Sequence, residues 1–150
     1  MRHFLAIALI ALFLPTSAMA MGFGNSSSPE SDMTYDAGYK KAMDGQYGEA
    51  IEVLKKVVAD DPQNADAWNM LGFSYRNTGD SGNAWDAYER ALTINPNHKG
   101  AHEYLGEWYL MQGDMPSAKA QLDKLKMLCP TGCTESETLD ASIQKAASQS

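Results

Sequence analysis

The sequence predicts an all-α chain: a helical-repeat solenoid of three antiparallel helix pairs, closed by a C-terminal capping helix. Three observations carry that expectation. Four columns are identical in three copies 34 residues apart, Gly38/Gly72/Gly106, Gly45/Gly79/Gly113, Ala50/Ala84/Ala118 and Pro62/Pro96/Pro130, and self-similarity at such a period marks a stacked array. Within a copy, Trp68, Leu71 and Tyr75 recur at i, i+3 and i+7, and Ala84, Tyr88 and Ala91 form a second stripe of the same kind, the spacing of one helix face. Gly in the middle of each copy suits a tight turn, and Pro at its end stops a helix.

The elements follow in order. The first copy predicts helices over about 32–44 and 48–59. The second predicts 65–78 and 82–94, with Asn64 and Ser81 as N-caps, and the third 100–112 and 116–128, with Pro116 in a first turn. Thr134-x2-Glu137 reads as a capping box opening a seventh helix to about residue 147, whose apolar stripe is Leu139, Ile143, Ala146 and Ala147. Gly72 lies inside a predicted helix, where Gly costs about 1 kcal/mol against Ala. That cost implies a close approach of the two helices of a pair, with Ala84 on the facing side.

Composition is that of an ordinary globular chain. Of 150 residues, 44% are hydrophobic and 9% aromatic, enough for a core. The formal charge of -7 disfavours nucleic acid and anionic membrane surfaces, which need clustered Lys and Arg, and suits a basic partner segment. Residues 1–20 have the pattern of a secretory signal: Arg2 and His3, the apolar run Phe4 to Leu14, Pro15, then Ala18-Met19-Ala20. The apolar run is too short for the roughly 20 residues of a membrane span. Export to the periplasm or secretion is expected, with no membrane insertion after cleavage. Residues 21–31, rich in Ser and Gly, read as a flexible leader.

The middle copy, Trp68-x2-Leu71-Gly72-x2-Tyr75, Ala84-x3-Tyr88 and Pro96, resembles the tetratricopeptide repeat, a helix-turn-helix unit of about 34 residues. The resemblance covers residues 32–132 as three repeats, about 31–64, 65–98 and 99–132, with capping helix and tail over 133–150. The first copy departs from the pattern at Thr34 and Lys41, which replace Trp68 and Tyr75. The third departs at His102 and Leu122.

The resemblance implies a superhelix whose concave face is lined by the first helix of each repeat. On those positions stand Asp32, Tyr35, Tyr39, Ala42 and Met43, then Asp66, Asn69, Phe73, Arg76 and Asn77, then Gly100, Glu103, Glu107, Leu110 and Met111. They lie off the stripe that joins the two helices of a pair. Tyr35, Tyr39, Met43, Asn69, Phe73, Arg76, Asn77, Glu103, Glu107 and Leu110 are the candidate partner-binding groove. Tyr39 and Phe73 make an aromatic strip for a ligand or, alternatively, pack between neighbouring repeats, and Arg76 meets either a ligand or an acidic neighbour. The family's carboxylate-binding version needs a set of Lys, Asn and Arg that Tyr35, Met70 and Gly100 interrupt. The implied function is non-enzymatic: an interaction module of the cell envelope holding an extended protein or peptide segment.

Cys129 and Cys133 flank Pro130-Thr131-Gly132, and in an oxidising compartment a disulfide is expected. The alternative functions are a metal- or redox-linked accessory protein using these cysteines with His98 and His102, four apart, and a self-associating array. No nucleophile elbow, phosphate loop, dinucleotide fingerprint or zinc-protease motif is present, so no catalytic residue, resident metal or cofactor is expected.

Overall fold

The computed structural model describes residues 33–149; the expected signal segment 1–20, leader 21–31 and groove residue Asp32 lie outside the described residues. Helix α1 is Tyr35–Met43, α2 Tyr47–Asp60, α3 Ala65–Thr78, α4 Ser81–Ile94, α5 Lys99–Met111, α6 Met115–Leu128 and α7 Thr134–Ala147. Among the described residues no helix is long and apolar enough to cross a membrane.

Local chemistry sets the helix ends. Asn64 caps α3, its side chain accepting the Ala67 N–H at 2.9 Å, and Pro116 lies in the first turn of α6. Several expected starts and caps move. Helix α1 begins at Tyr35 because Thr34 Oγ1 accepts the Ala37 N–H. Asp80, not Ser81, caps α4, because its carboxylate reaches the Asn83 N–H. Ser81 is instead a bridge to the next pair, its carbonyl accepting the Trp108 indole N–H at 3.0 Å. Cys133, not Thr134, is the cap residue of α7: it holds the extended conformation that precedes a helix. Ser136 Oγ accepts the Cys133 N–H at 3.2 Å and donates to the Cys133 carbonyl at 2.9 Å, so the Thr134–Glu137 box does not form. Within the three pairs, the turns place Gly45, Gly79 and Gly113 at φ +78°, +82° and +76°, a region that favours glycine.

Pairs α1/α2, α3/α4 and α5/α6 pack internally, and α2 against α3 and α4 against α5 join one pair to the next. Helices α1, α3, α5 and α7 also touch in succession, whereas no Cα of α2 lies within 8 Å of one of α4, nor any of α4 within 8 Å of one of α6. A stack whose first helices close up while its second helices fan out curves toward the first. The concave face is therefore the layer α1, α3, α5 and α7.

The glycine columns are points of close approach. A Cβ on Gly72 would lie 2.6 Å from the Tyr88 ring, and one on Gly38 would lie 2.7 Å from Leu54, so these positions admit no larger side chain without movement. In the third copy the neighbour changes: Gly106 faces Leu139 of α7. Leu139 and Ile143 are buried there with Ala118, Leu122 and Leu125. The seventh helix thus supplies the last apolar layer. The Cys129–Cys133 disulfide joins the end of α6 to the cap of α7.

Candidate functional site

The candidate residues on the concave face divide into two sets. Tyr39 and Met43 on α1 and Met111 on α5 are exposed large apolar side chains, at 43%, 45% and 64%. Tyr35 stacks on Tyr39 with ring centroids 6.0 Å apart; its burial and the nearby Asp66 carboxylate push its hydroxyl pKa up to about 12. Arg76, Asn77, Glu107, Leu110 and Met111 meet Ser142 of α7 around a hollow of 320 Å³. Asn77 is exposed, its amide donating to the Phe73 carbonyl of its own helix at 2.8 Å.

The second set is drawn into the contact between repeats. Phe73 lies edge-on to Tyr47, at 5.9 Å, and 5.0 Å from Tyr104. The Arg76 guanidinium sits 5.7 Å from the Phe73 centroid and 5.4 Å from that of Tyr104, and donates to Glu107 Oε2 at 2.5 Å. Phe73 and Arg76 therefore clamp α3 to α5. Ala42 and Asn69, expected off the core, are buried, because α1 against α3 and α3 against α5 bury a second stripe besides the one within each pair. Among the described residues Asn69 Oδ1 has no hydrogen-bond partner.

Glu103 is half-buried. Burial first, then the Glu107 and Glu135 carboxylates, push its pKa up to about 7. Glu107 is held by Arg76, and its other oxygen accepts the Ser142 hydroxyl at 3.4 Å. Sequence reasoning missed Tyr104, Ser142 and Glu135. Tyr104 occupies the column of Met70, a position that the apolar pattern marks only as core, and the reach of α7 onto this face leaves no local signal.

His98 and His102 are committed elsewhere. His102 is buried with Nε2 2.9 Å from the Pro96 carbonyl, which can only accept, and the Gln121 amide 2.7 Å from Nδ1. It is the packed replacement of Trp68. His98 Nδ1 accepts the Ala101 N–H as the cap of α5, and Nε2 lies 2.9 Å from Asp66 Oδ1 without the alignment of a hydrogen bond. With both sulfurs in the disulfide, the thiolates a metal needs are consumed. Among the described residues no group of His, Cys, Asp and Glu is placed to hold a metal ion.

Two family profiles match the chain, one described as TPR repeat over residues 42–79 and one as tetratricopeptide repeat over residues 65–98. Residues 42–98 thus match the tetratricopeptide repeat in sequence. Among curated proteins it is similar to the uncharacterized protein ycf37 of Pyropia yezoensis, 39% identical over 64 residues; the match spans 43% of this chain and 36% of that relative. Solved structures share the fold. The Yersinia enterocolitica type III secretion translocator chaperone SycD superposes with a TM-score of 0.68 at 16% identity, over 83% of this chain and 89% of that one. The first repeat domain of Spaghetti (RPAP3), bound to the HSP90 peptide SRMEEVD, gives 0.66 at 21% identity, over 75% and 89%. The TPR2B domain of yeast Sti1 in its complex with pHsp70 gives 0.68 at 16% identity, over 75% and 92%.

Proposed function

We propose that this tetratricopeptide-repeat protein is a non-enzymatic interaction module that holds an extended segment of a partner protein on its concave face. The observation that carries the reading is the exposure of Tyr39 and Met43 on α1 and of Met111 on α5, the last at the polar hollow of Arg76, Asn77 and Glu107. Exposed aromatic and Met side chains are what a partner segment covers on binding. Peptide complexes of the RPAP3 and Sti1 repeat domains support the mode of binding. The partner differs from theirs in charge. With Arg76 and Glu107 already paired to each other and Glu103 beside them in the groove, a basic or aromatic segment fits better than an acidic terminus.

The module works in the cell envelope after export. The apolar run Phe4 to Leu14 ahead of Ala18-Met19-Ala20 supports a cleaved signal, and the Cys129–Cys133 disulfide suits an oxidising compartment. The test replaces Tyr39, Met43 and Met111 together by Ala, sparing the interior clamp, and compares envelope proteins crosslinked to the exported variant and wild type. Dissociation constants with the strongest partner are then measured. A weakening of about 10-fold or more is expected, as for loss of one or two hot spots. Unchanged partners and affinity in a folded variant would overturn the reading.

A further inference from the structure

The α3–α5 seam of the concave face holds polar groups that the clamp of Phe73, Arg76 and Tyr104 does not use. Asn69 on α3 and Glu103 on α5 occupy equivalent places, 34 residues apart. The Asn69 amide nitrogen lies 3.2 Å from where a Cβ on Gly100 would stand, one turn before Glu103 on the same helix. Asn69 is only 6% exposed, and among the described residues its Oδ1 accepts no hydrogen bond. Tyr88 approaches the seam from α4. Its ring lies against Gly72, with Cζ 3.1 Å from an added Cβ, and its centroid is 6.4 Å from that of Tyr104. The Tyr88 hydroxyl is fully buried and has no hydrogen-bond partner among the described residues. It feels the charges of Arg76, Glu107 and Glu103, so it is turned toward the concave side.

Glu103 is the third such group. Among the described residues no cation lies within ion-pair range of its carboxylate. The charges that act on it are the Glu107 and Glu135 carboxylates and, in the opposite sense, the Arg76 guanidinium. Arg76 is already taken: it pairs with Glu107 and leans over the Phe73 and Tyr104 rings. Three carboxylates thus share one guanidinium. Asn69 Oδ1 is a further acceptor, and the Tyr88 hydroxyl is able to accept. What these groups lack is a donor that carries positive charge. A half-buried carboxylate without a counter-charge costs free energy, which a cationic ligand recovers.

We propose that Glu103 anchors one arginine side chain of the segment bound on the concave face. The proposal rests on the concave-groove reading and deepens it by fixing the chemistry at one position. A planar guanidinium presents several N–H donors in a rigid fork and keeps its charge. It meets the Glu103 carboxylate bidentately, with its remaining N–H groups toward the seam. The charges then balance, Glu107 with Arg76 and Glu103 with the incoming cation. An acidic segment finds no free cation here.

The test uses N-acetyl-arginine N-methylamide and its neutral citrulline analogue as probes, each titrated into the full chain carrying isotope-labelled glutamate. NMR follows the Glu103 carboxyl across pH, with Glu103→Gln to assign it. Alone, it titrates at about 7. The arginine derivative should lower that midpoint by about one unit, a tenfold preference for the ionised carboxyl. The citrulline analogue, and sodium chloride at equal ionic strength, should leave it in place. Followed by the Tyr104 ring signals at about pH 8, Glu103→Gln should weaken the arginine derivative at least about 10-fold, as for loss of a buried charge pair, whereas Asp86→Asn, on α4, should not. An unmoved midpoint, an equal shift by citrulline or salt, or undiminished binding to Glu103→Gln would each overturn the proposal. Its failure is separable from that of the groove reading. A partner lost by the Tyr39, Met43 and Met111 substitutions but held equally well by Glu103→Gln would remove the anchor and keep the groove. An arginine response at Glu103, with partners indifferent to those three substitutions, would keep the anchor and remove the groove.

Discussion

Replacing Gly72 by Ala sets helix propensity against packing at one defined point. Ala in place of a helical Gly contributes about 1 kcal/mol through the unfolded chain and the backbone. Against this, the new Cβ would lie 2.6 and 2.7 Å from two carbons of the Tyr88 ring, roughly 1 Å inside an ordinary carbon contact. The ring cannot yield freely, because Tyr88 is fully buried. Overpacking at such a site costs about 1 to 3 kcal/mol, and at a rigid ring the upper part of that range applies. The net expectation is a loss of about 1 to 2 kcal/mol, or about 4 to 8 °C in Tm for an array of this size. Gly82→Ala is the control. Gly82 lies in the first turn of α4 with nothing within 4 Å of an added Cβ, so its melting point should hold or rise by up to about 4 °C. Thermal melts followed by circular dichroism measure both. If Gly72→Ala melts at or above wild type, the close approach of α3 and α4 is not what this column provides.

Two other outcomes follow from the buried groups. Glu103, pushed up to about 7, binds its proton in the folded chain at a pH where the unfolded chain has released it. Its contribution to stability is present below about pH 4.5 and is lost as pH rises to about 7. The group is half open to water, so screening leaves roughly 1 kcal/mol, and Glu103→Gln should flatten that part of the urea-midpoint profile and raise stability at pH 8; an unchanged profile would contradict this. Leu139→Ala should cost about 2 to 5 kcal/mol, since Leu139 is fully buried against Gly106, whereas Met127→Ala, 74% exposed, should stay within about 0.5 kcal/mol. Guanidinium midpoints that fell equally for both would remove the capping role of α7.

Much of the architecture was legible in the chain because the forces that set it are local. Trp68, Leu71 and Tyr75 share a face through the 3.6-residue turn alone, and Gly79 and Pro96 punctuate through their own backbone preferences. The site was less legible. Arg76 meets Glu107 and Phe73 meets Tyr104 about one repeat away, and no spacing rule assigns a side chain to a groove or to the seam beside it. Phe73 and Arg76 went to the seam, while Tyr39 and Met43 stayed open. Asp80 took the cap from Ser81 because a carboxylate one residue earlier reached the same orphan N–H groups.

Periodicity by itself determined the helices, their pairing and the need for a closing helix, since each depends on residues within about one repeat. Only the tertiary structure decided that α7 reaches the concave layer, with Leu139 over Gly106 and Ser142 on Glu107. It also decided that the fanning of α2 from α4 opens a groove above Trp68. Curvature is the reason: it arises from the relative sizes of side chains on opposite faces of the stack, a property of many contacts that no single copy of the repeat contains.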